Sequence, residues 1–320
     1  MRRRNPDSAP IGRRIFLKTG VALFAGPAAL AIAGSASDAV PQAPEFPSPD
    51  PEAPRLLSVE KTWDRAPHNA FTDLIRFQDQ WFCTFREADG HVRGDGRIRV
   101  IVSNDAKQWE SAALLVEDGI DLRDPKISIT PDNRLMIVAG GSVYRDGKLV
   151  GRQPRVAFSS DGRDWTDTQR ILSEGEWLWR VTWNKGRGYG VSYSTSGDWN
   201  LKLFATDNGT DYSSLGPIKV SGRANETALR FDDRDRMIAL IRREGSNTNG
   251  LIGVSEPPYE EWSWHETAYR LGGPNFVILP NGDMWAAGRY YPGGAKTVLA
   301  RFDPKTYEPV LTLPSGGDCS

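Results

Sequence analysis

From about residue 55 onward the chain is written in short apolar runs separated by polar turns. The runs come in pairs: 71–77 with 81–85, 125–130 with 135–139, 178–183 with 188–193, 227–231 with 237–241, and 275–279 with 284–287. The links carry Gln78-Asp79, Asp132-Asn133, Lys185-Gly186, Asp232-Asp233 and Asn281-Gly282. Asn, Asp and Gly suit tight reversals because they tolerate positive φ or bond their own backbone. Each pair therefore predicts an antiparallel hairpin. No stretch repeats its apolar positions at helical spacing. The pattern predicts an all-β domain.

A second repeat lies between the hairpins. Its copies are Ser103 to Trp109 with Asp105, Ser159 to Trp165 with Asp161 and Gly162, and Thr206 to Tyr212 with Asp207 and Gly209. Weaker copies run from Ser255 to Trp262 and from Phe302 to Tyr307 with Asp303. Their starts are about 50 residues apart, a period that signifies stacked repeats. The physics is that of a hairpin turn. The Asp carboxylate accepts amide hydrogen bonds, Gly supplies a positive φ, and the aromatic ring packs back over the strands. Each repeat thus offers about four short strands, which is one blade of a propeller.

These repeats resemble the Asp box of sialidase-like β-propellers, over roughly residues 55–320. The resemblance implies an all-β, six-bladed β-propeller in which the motif is structural. Residues 55–63 read as an outer strand. Because 308–313 already supplies one to the fifth repeat, the expectation is a sixth blade that is incomplete at residue 320. Closure with five blades is the alternative.

Loops that enter the inner strands of a propeller gather around the axis on one face. Candidates just before an inner strand are His68, Asn69, Arg123, Asp124, Arg180, Asn225, Glu226 and Asn275. Candidates just after a second strand are Arg86, Glu87, His91, Arg242, Arg243, Arg289, Tyr290 and Tyr291. Recurrent Arg at equivalent places suits bidentate binding of a carboxylate; pairing with neighbouring Asp and Glu is the competing use. The family resemblance implies three Arg on a substrate carboxylate, a Tyr nucleophile activated by a Glu, and an Asp acid/base. Glu226 and Arg242 match the family's fourth-blade positions, and Arg289 matches its fifth-blade Arg. Arg86, Arg123, Asp124, Arg180 and His68 join them as substrate-binding candidates. Two departures stand out. The family's first-blade Arg-Ile-Pro is replaced by Asn69-Ala70-Phe71, and its Tyr would fall beyond Ser320. The acid/base is open between Asp95 and His91, both in a Gly-rich loop.

Composition narrows the partners. Outside the first 36 residues the charge is −6, a poor match to nucleic acid or anionic membrane. Trp, at 11 residues, supplies flat aromatic surface for sugars. Residues 1–36 carry Arg13-Arg14-Ile15-Phe16-Leu17-Lys18 and an apolar run that Pro27 interrupts. They resemble a twin-arginine export signal, which implies a periplasmic or extracellular protein with no stable membrane span once the signal is removed. A Pro-rich linker follows over 37–54 and the propeller over 55–320. Two cysteines and three histidines make neither a disulfide framework nor a metal signature, and no nucleotide-binding loop is present, so no cofactor is expected. Three functions remain: an exo-sialidase-type glycoside hydrolase acting on a terminal acidic sugar, a non-catalytic glycan-binding propeller, and a polysaccharide lyase with His91 or Tyr290 as base.

Overall fold

A computed structural model describes residues 53–315 except Arg93 and Asp198. The expected signal, and all but the last two residues of the linker, lie outside the described residues. Every regular element described is a β-strand. The first unit comprises β1 (His68–Phe77), β2 (Gln80–Ala88), β3 (Arg97–Ser103) and β4 (Glu110–Leu115). The second comprises β5 (Ile120–Ile129), β6 (Leu135–Arg145), β7 (Lys148–Ser159) and β8 (Gln169–Arg170). The third comprises β9 (Glu176–Asn184), β10 (Arg187–Ser194), β11 (Leu201–Thr206) and β12 (Ser213–Ile218). Then come β13 (Ala224–Phe231), β14 (Met237–Arg243), β15 (Asn249–Ser255), β16 (Ser263–Ile278), β17 (Met284–Tyr290), β18 (Lys296–Asp303) and β19 (Thr306–Leu313), joined in one sheet. The long β16 closes the fourth unit with its first half and opens the fifth with its second. Each unit is an antiparallel meander, with strands in chain order from the inside out.

The units pack face to face because their middle strands are apolar on both sides. Leu135, Ile137 and Ala139 of β6 meet Phe82, Ile98 and Val100 of the first unit. The alternate residues Met136 and Val138 meet Leu178 and Val181 of the third. This is the two-residue period of a strand buried on both faces. Val191 and Leu203 likewise meet Leu229 and Ile241, and Ile238 and Leu240 meet Phe276 and Ala286. Four such cores join the five described units in sequence. No strand pairing links the last unit to the first among the described residues.

The hairpin turns between outer strands use side-chain acceptors. Asp161 Oδ1 takes the amides of Arg163 and Asp164 at 2.8 and 2.9 Å, and Trp165 Nε1 donates to the Gly162 carbonyl. Gly162 has φ +75°, and a Cβ there would lie 2.1 Å from the Phe82 ring, so the turn plugs into the preceding unit. Asp105 and Asp303 accept turn amides in the same way. In the third turn the acceptor is Asn208, not Asp207 as expected, because the residue directly before Gly209 points into the turn. The expected outer strand over 55–63 does not form. Its expected place is in a sixth blade; no such blade is present among the described residues, and Leu57 and Val59 remain exposed.

All five inner strands carry a bulge at the same level. Two residues face one on the neighbouring strand: Phe71-Thr72 against Phe85, Asp124-Pro125 against Ala139, Trp179-Arg180 against Val191, Asn225-Glu226 against Arg242, and Gly273-Pro274 against Gly288. Phe71 and Asp124 take positive φ, +66° and +49°, at these steps. A bulge re-aims a side chain that the pleat would otherwise send into an inter-sheet core.

Just beyond the bulges, Asp73 binds three units together. Its carboxylate takes Nη1 and Nη2 of Arg180 at 2.8 and 3.0 Å and the Ile127 amide at 2.9 Å. Burial alone would raise this carboxyl, but the Arg180 charge and hydrogen bonds, helped by Lys126, hold it below the usual range. A depressed carboxyl contributes stability that is present above the unfolded value and is lost as pH falls through the folded one. Asp73→Ala is expected to cost about 3–5 kcal/mol, since it strands a buried guanidinium. Urea unfolding checks this, and the variant should also lose less stability than the parent on acidification.

Candidate functional site

A cavity of about 520 Å³ opens over the bulges. It is lined by His68, Phe71, His91, Arg123, Asp124, Trp179, Glu226, Arg242 and Arg289. Four of these, Phe71, Asp124, Trp179 and Glu226, are bulge residues, and Arg242 stands opposite a bulge. Four of the five inner strands therefore deliver a side chain here by one repeated backbone device, while the fifth bulge, Gly273-Pro274, contributes the Gly273 amide that donates to Glu226. Sequence reasoning passed over Phe71 and Trp179 as strand interior. Pro125 and Pro274 were the available signals, because proline inside a strand marks a bulge or an edge.

Two carboxylates share the cavity. Burial pushes the Asp124 carboxyl above its usual value; Lys126 and Arg123 oppose that, and the Glu226 charge adds to it. Glu226 is clamped: Oε1 accepts from Arg242 Nη1 at 2.5 Å and Oε2 from the Gly273 amide at 2.9 Å. Arg242 also pairs with Glu244. Burial alone would lower Arg242, but these two carboxylates outweigh it and raise the group. Lys126 lies below, 4.6 Å over the Trp179 ring. Burial lowers its ammonium against the pull of Asp124 and Asp73.

One wall is aromatic. The His91 ring lies 5.4 Å from both the His68 and Phe71 rings. Arg123 crosses Phe71 at 5.3 Å and donates to the His91 carbonyl at 2.8 Å. On the other side Arg289 donates to the Tyr291 hydroxyl at 3.4 Å.

The structure thus brings His68, His91, Arg123, Asp124, Glu226, Arg242 and Arg289 together, and it places Arg86, Asp95 and Arg180 elsewhere. Arg86 is fully buried, giving Nε to Asp121 Oδ1 at 2.8 Å and Nη1 to the Gly90 carbonyl at 2.9 Å. Asp95 accepts the Asp89 amide at 2.8 Å and lies 3.9 Å from Arg86. Both hold the 89–96 loop. The Arg180 fork is taken by Asp73. Glu87 pairs with Arg99, and Arg243 with Glu266. Burial and then Asp73 push the Cys83 thiol up to about 12, which disfavours its thiolate. Among the described residues no cluster of His, Cys, Asp or Glu could hold a metal ion, and no helix is long and apolar enough to cross a membrane.

No family model matches the sequence, and no curated protein matches it. Solved structures do. A protein of unknown function from Dyadobacter fermentans superposes with a TM-score of 0.68 at 17% identity, over 78% of this chain and 85% of that one. Trypanosoma rangeli sialidase superposes at 0.61 and 13% identity, over 78% of this chain and 49% of the other. The GH43 protein BlXynB from Bacillus licheniformis gives 0.52 and 15%, over 75% and 54%. The chain therefore spans about half the length of these two glycosidases. At these identities the likeness shows the fold: an all-β propeller architecture shared with glycoside hydrolases.

The loop that walls the cavity makes a direct prediction. A Cβ on Gly96 would lie 1.9 Å from Asp121 Oδ1 and 2.4 Å from Arg86 Nε. Gly96→Ala should separate this buried pair at a cost of about 3 kcal/mol. Limited proteolysis is expected to cut the variant within residues 89–96 at concentrations that leave the parent intact.

Proposed function

We propose that the cavity over the bulges is a glycan site, and that the protein is an exported glycoside hydrolase releasing a terminal acidic sugar. The carrying observation is the convergence of two carboxylates, Asp124 and Glu226, with Arg123, Arg242 and Arg289 at one mouth. Glycoside hydrolysis asks for two carboxyl groups in different protonation states, flanking a centre that develops positive charge.

In this reading Asp124, with its raised carboxyl, is the general acid. It gives its proton to the glycosidic oxygen as the bond to the anomeric carbon breaks. The leaving group departs as an alcohol, water supplies the hydroxyl that completes the sugar, and the water's other proton returns to the Asp124 carboxylate. Glu226 is the charged partner that stabilises the developing cation. Arg242, already committed to Glu226 and Glu244, is a positioning residue for that carboxylate. Arg123 and Arg289 face the acidic group of the sugar. Asp124 thereby takes the acid/base role that sequence alone divided between Asp95 and His91. The glycosidases with the same fold support a sugar substrate, and the arginine-rich segment at residues 12–18 supports export.

A six-bladed ring belongs to the same proposal. Ile75 and Phe77 pack toward the second unit, so Leu74, the neighbour of Ile75 on the alternate face of the strand, looks away from it and is 53% exposed. In the fifth unit Phe276 and Ile278 face the fourth, and Val277 looks away at 49% exposure. A further blade would cover both.

One observation favours a second reading, a non-catalytic glycan-binding propeller: both oxygens of Glu226 already have partners. Fluorogenic sialosides and related acidic glycosides separate the two. Release of fluorophore that falls at least about 100-fold in Glu226→Gln and in Asp124→Asn is expected of the hydrolase. Saturable sugar binding without release from any glycoside would leave the binding module. Turnover should also decline as pH rises through the raised Asp124 value, because the acid must hold its proton.

A further inference from the structure

Beside the mouth, across Arg123, lies a second cavity of about 240 Å³. Its walls include Tyr144, Trp177, Tyr193 and Trp199, with Arg123 and Arg152 among them. Arg123 lines both cavities, so they are neighbours at one end of the propeller. Nothing in the proposed hydrolysis uses these aromatic residues.

The walls are built. Tyr193 and Trp199 stack with ring centres 5.9 Å apart and planes 21° off parallel. The Arg223 guanidinium lies 4.5 Å over the Trp199 ring. Trp177 is only 4% exposed, yet its Nε1 has no hydrogen-bond partner among the described residues. Its indole is admitted only because residue 140 is Gly, where a Cβ would stand 2.1 Å from the ring. A buried indole N–H without a partner costs free energy unless something accepts from it. The charge is equally pointed. Arg152 is in no ion pair among the described residues, in contrast to Arg86, Arg155 and Arg180, which are committed to carboxylates. The cavity is smaller than the roughly 300–1,000 Å³ of pockets for drug-sized ligands and suits a single sugar ring.

We propose that this cavity is a second sugar subsite, taking the ring next to the one in the mouth and selecting for a negative charge on it. The proposal rests on the reading of the mouth as a glycan site. Flat aromatic walls cover the C–H face of a pyranose ring, and Tyr and Trp offer a polar edge besides. The planar fork of Arg152 fits a carboxylate or a sulfate in two-point contact. Arg123, between the cavities, is placed to touch both rings. The substrate class is therefore an acidic oligosaccharide with charge on consecutive units.

Calorimetric titration of the whole protein tests this with galacturonic acid, its linear trimer, a chondroitin sulfate tetrasaccharide and neutral galactotriose. At least one charged oligomer should bind about tenfold tighter than the monosaccharide, while the neutral trimer should not. Preference between the carboxylated and sulfated oligomers identifies the anion. Arg152→Gln and Trp199→Ala should each remove that gain, and Arg152→Lys should restore part of it, which a folding defect would not do. A gain that survives both substitutions, or that neutral galactotriose shares, overturns the second subsite. If Arg289→Gln leaves monosaccharide binding untouched, the reading of the mouth fails and the adjacency claimed here fails with it. Absence of binding by every sugar overturns both.

Discussion

The Asp73 carboxylate is the point on which the centre of the molecule turns. It belongs to β1, grips Arg180 on β9 with both oxygens, and accepts the amide of Ile127 on β5. Inner strands cannot share a ladder across the axis, so something other than backbone pairing has to fix their mutual height. A buried, two-pronged ion pair does this with direction as well as energy. The pair costs desolvation on both sides, and its stabilisation relative to an apolar axis is small. Its effect is to register three blades at the level of the bulges. Lys126 and Arg230 sit in the same layer; burial and Arg180 lower Arg230 to about 9.

The site follows from that layer. Each inner strand must turn side chains from the flat inter-blade cores toward the axis. Inserting one extra residue per strand does so without breaking the meander. Side chains from four of these insertions, Phe71, Asp124, Trp179 and Glu226, meet in one cavity. Asp124 then finds itself above Lys126 and beside Glu226, where burial raises its carboxyl while Arg242 and the Gly273 amide keep Glu226 engaged. Two carboxylates in one cavity with unlike surroundings are the condition for dividing acid and base duties. The neighbouring aromatic cavity extends the same logic outward, with arginine rather than carboxylate setting its charge.

Much of this was legible in the sequence, for a definite reason. Hairpins declare themselves through two-residue periodicity and turn chemistry, and the inner and second strands fall where the apolar pairs place them. The residues flanking those strands include seven of those that line the mouth, His68, His91, Arg123, Asp124, Glu226, Arg242 and Arg289. What the sequence could not show is which arginines are already spent. Arg86 and Arg180 look like the mouth arginines in local context, but they are held outside the mouth by carboxylates 35 and 107 residues away. Asp95 was drawn to the site by its Gly-rich loop, whereas the loop exists to be pinned by Arg86 and Asp95. Residues 55–63 read like a strand, but among the described residues no sixth blade stands beside them to pair with. Phe71 and Trp179 were hidden because a bulge reverses the face that alternation assigns to a residue.

The most direct test of the account is a crystal structure of the protein soaked with an acidic oligosaccharide. The account predicts a terminal ring over the bulges, with its glycosidic oxygen within hydrogen-bonding distance of Asp124 and its acidic group facing Arg123 or Arg289. A sugar bound instead on the outer rim, for example against the stacked pair Trp262 and Trp264, with the mouth left to solvent, would contradict it.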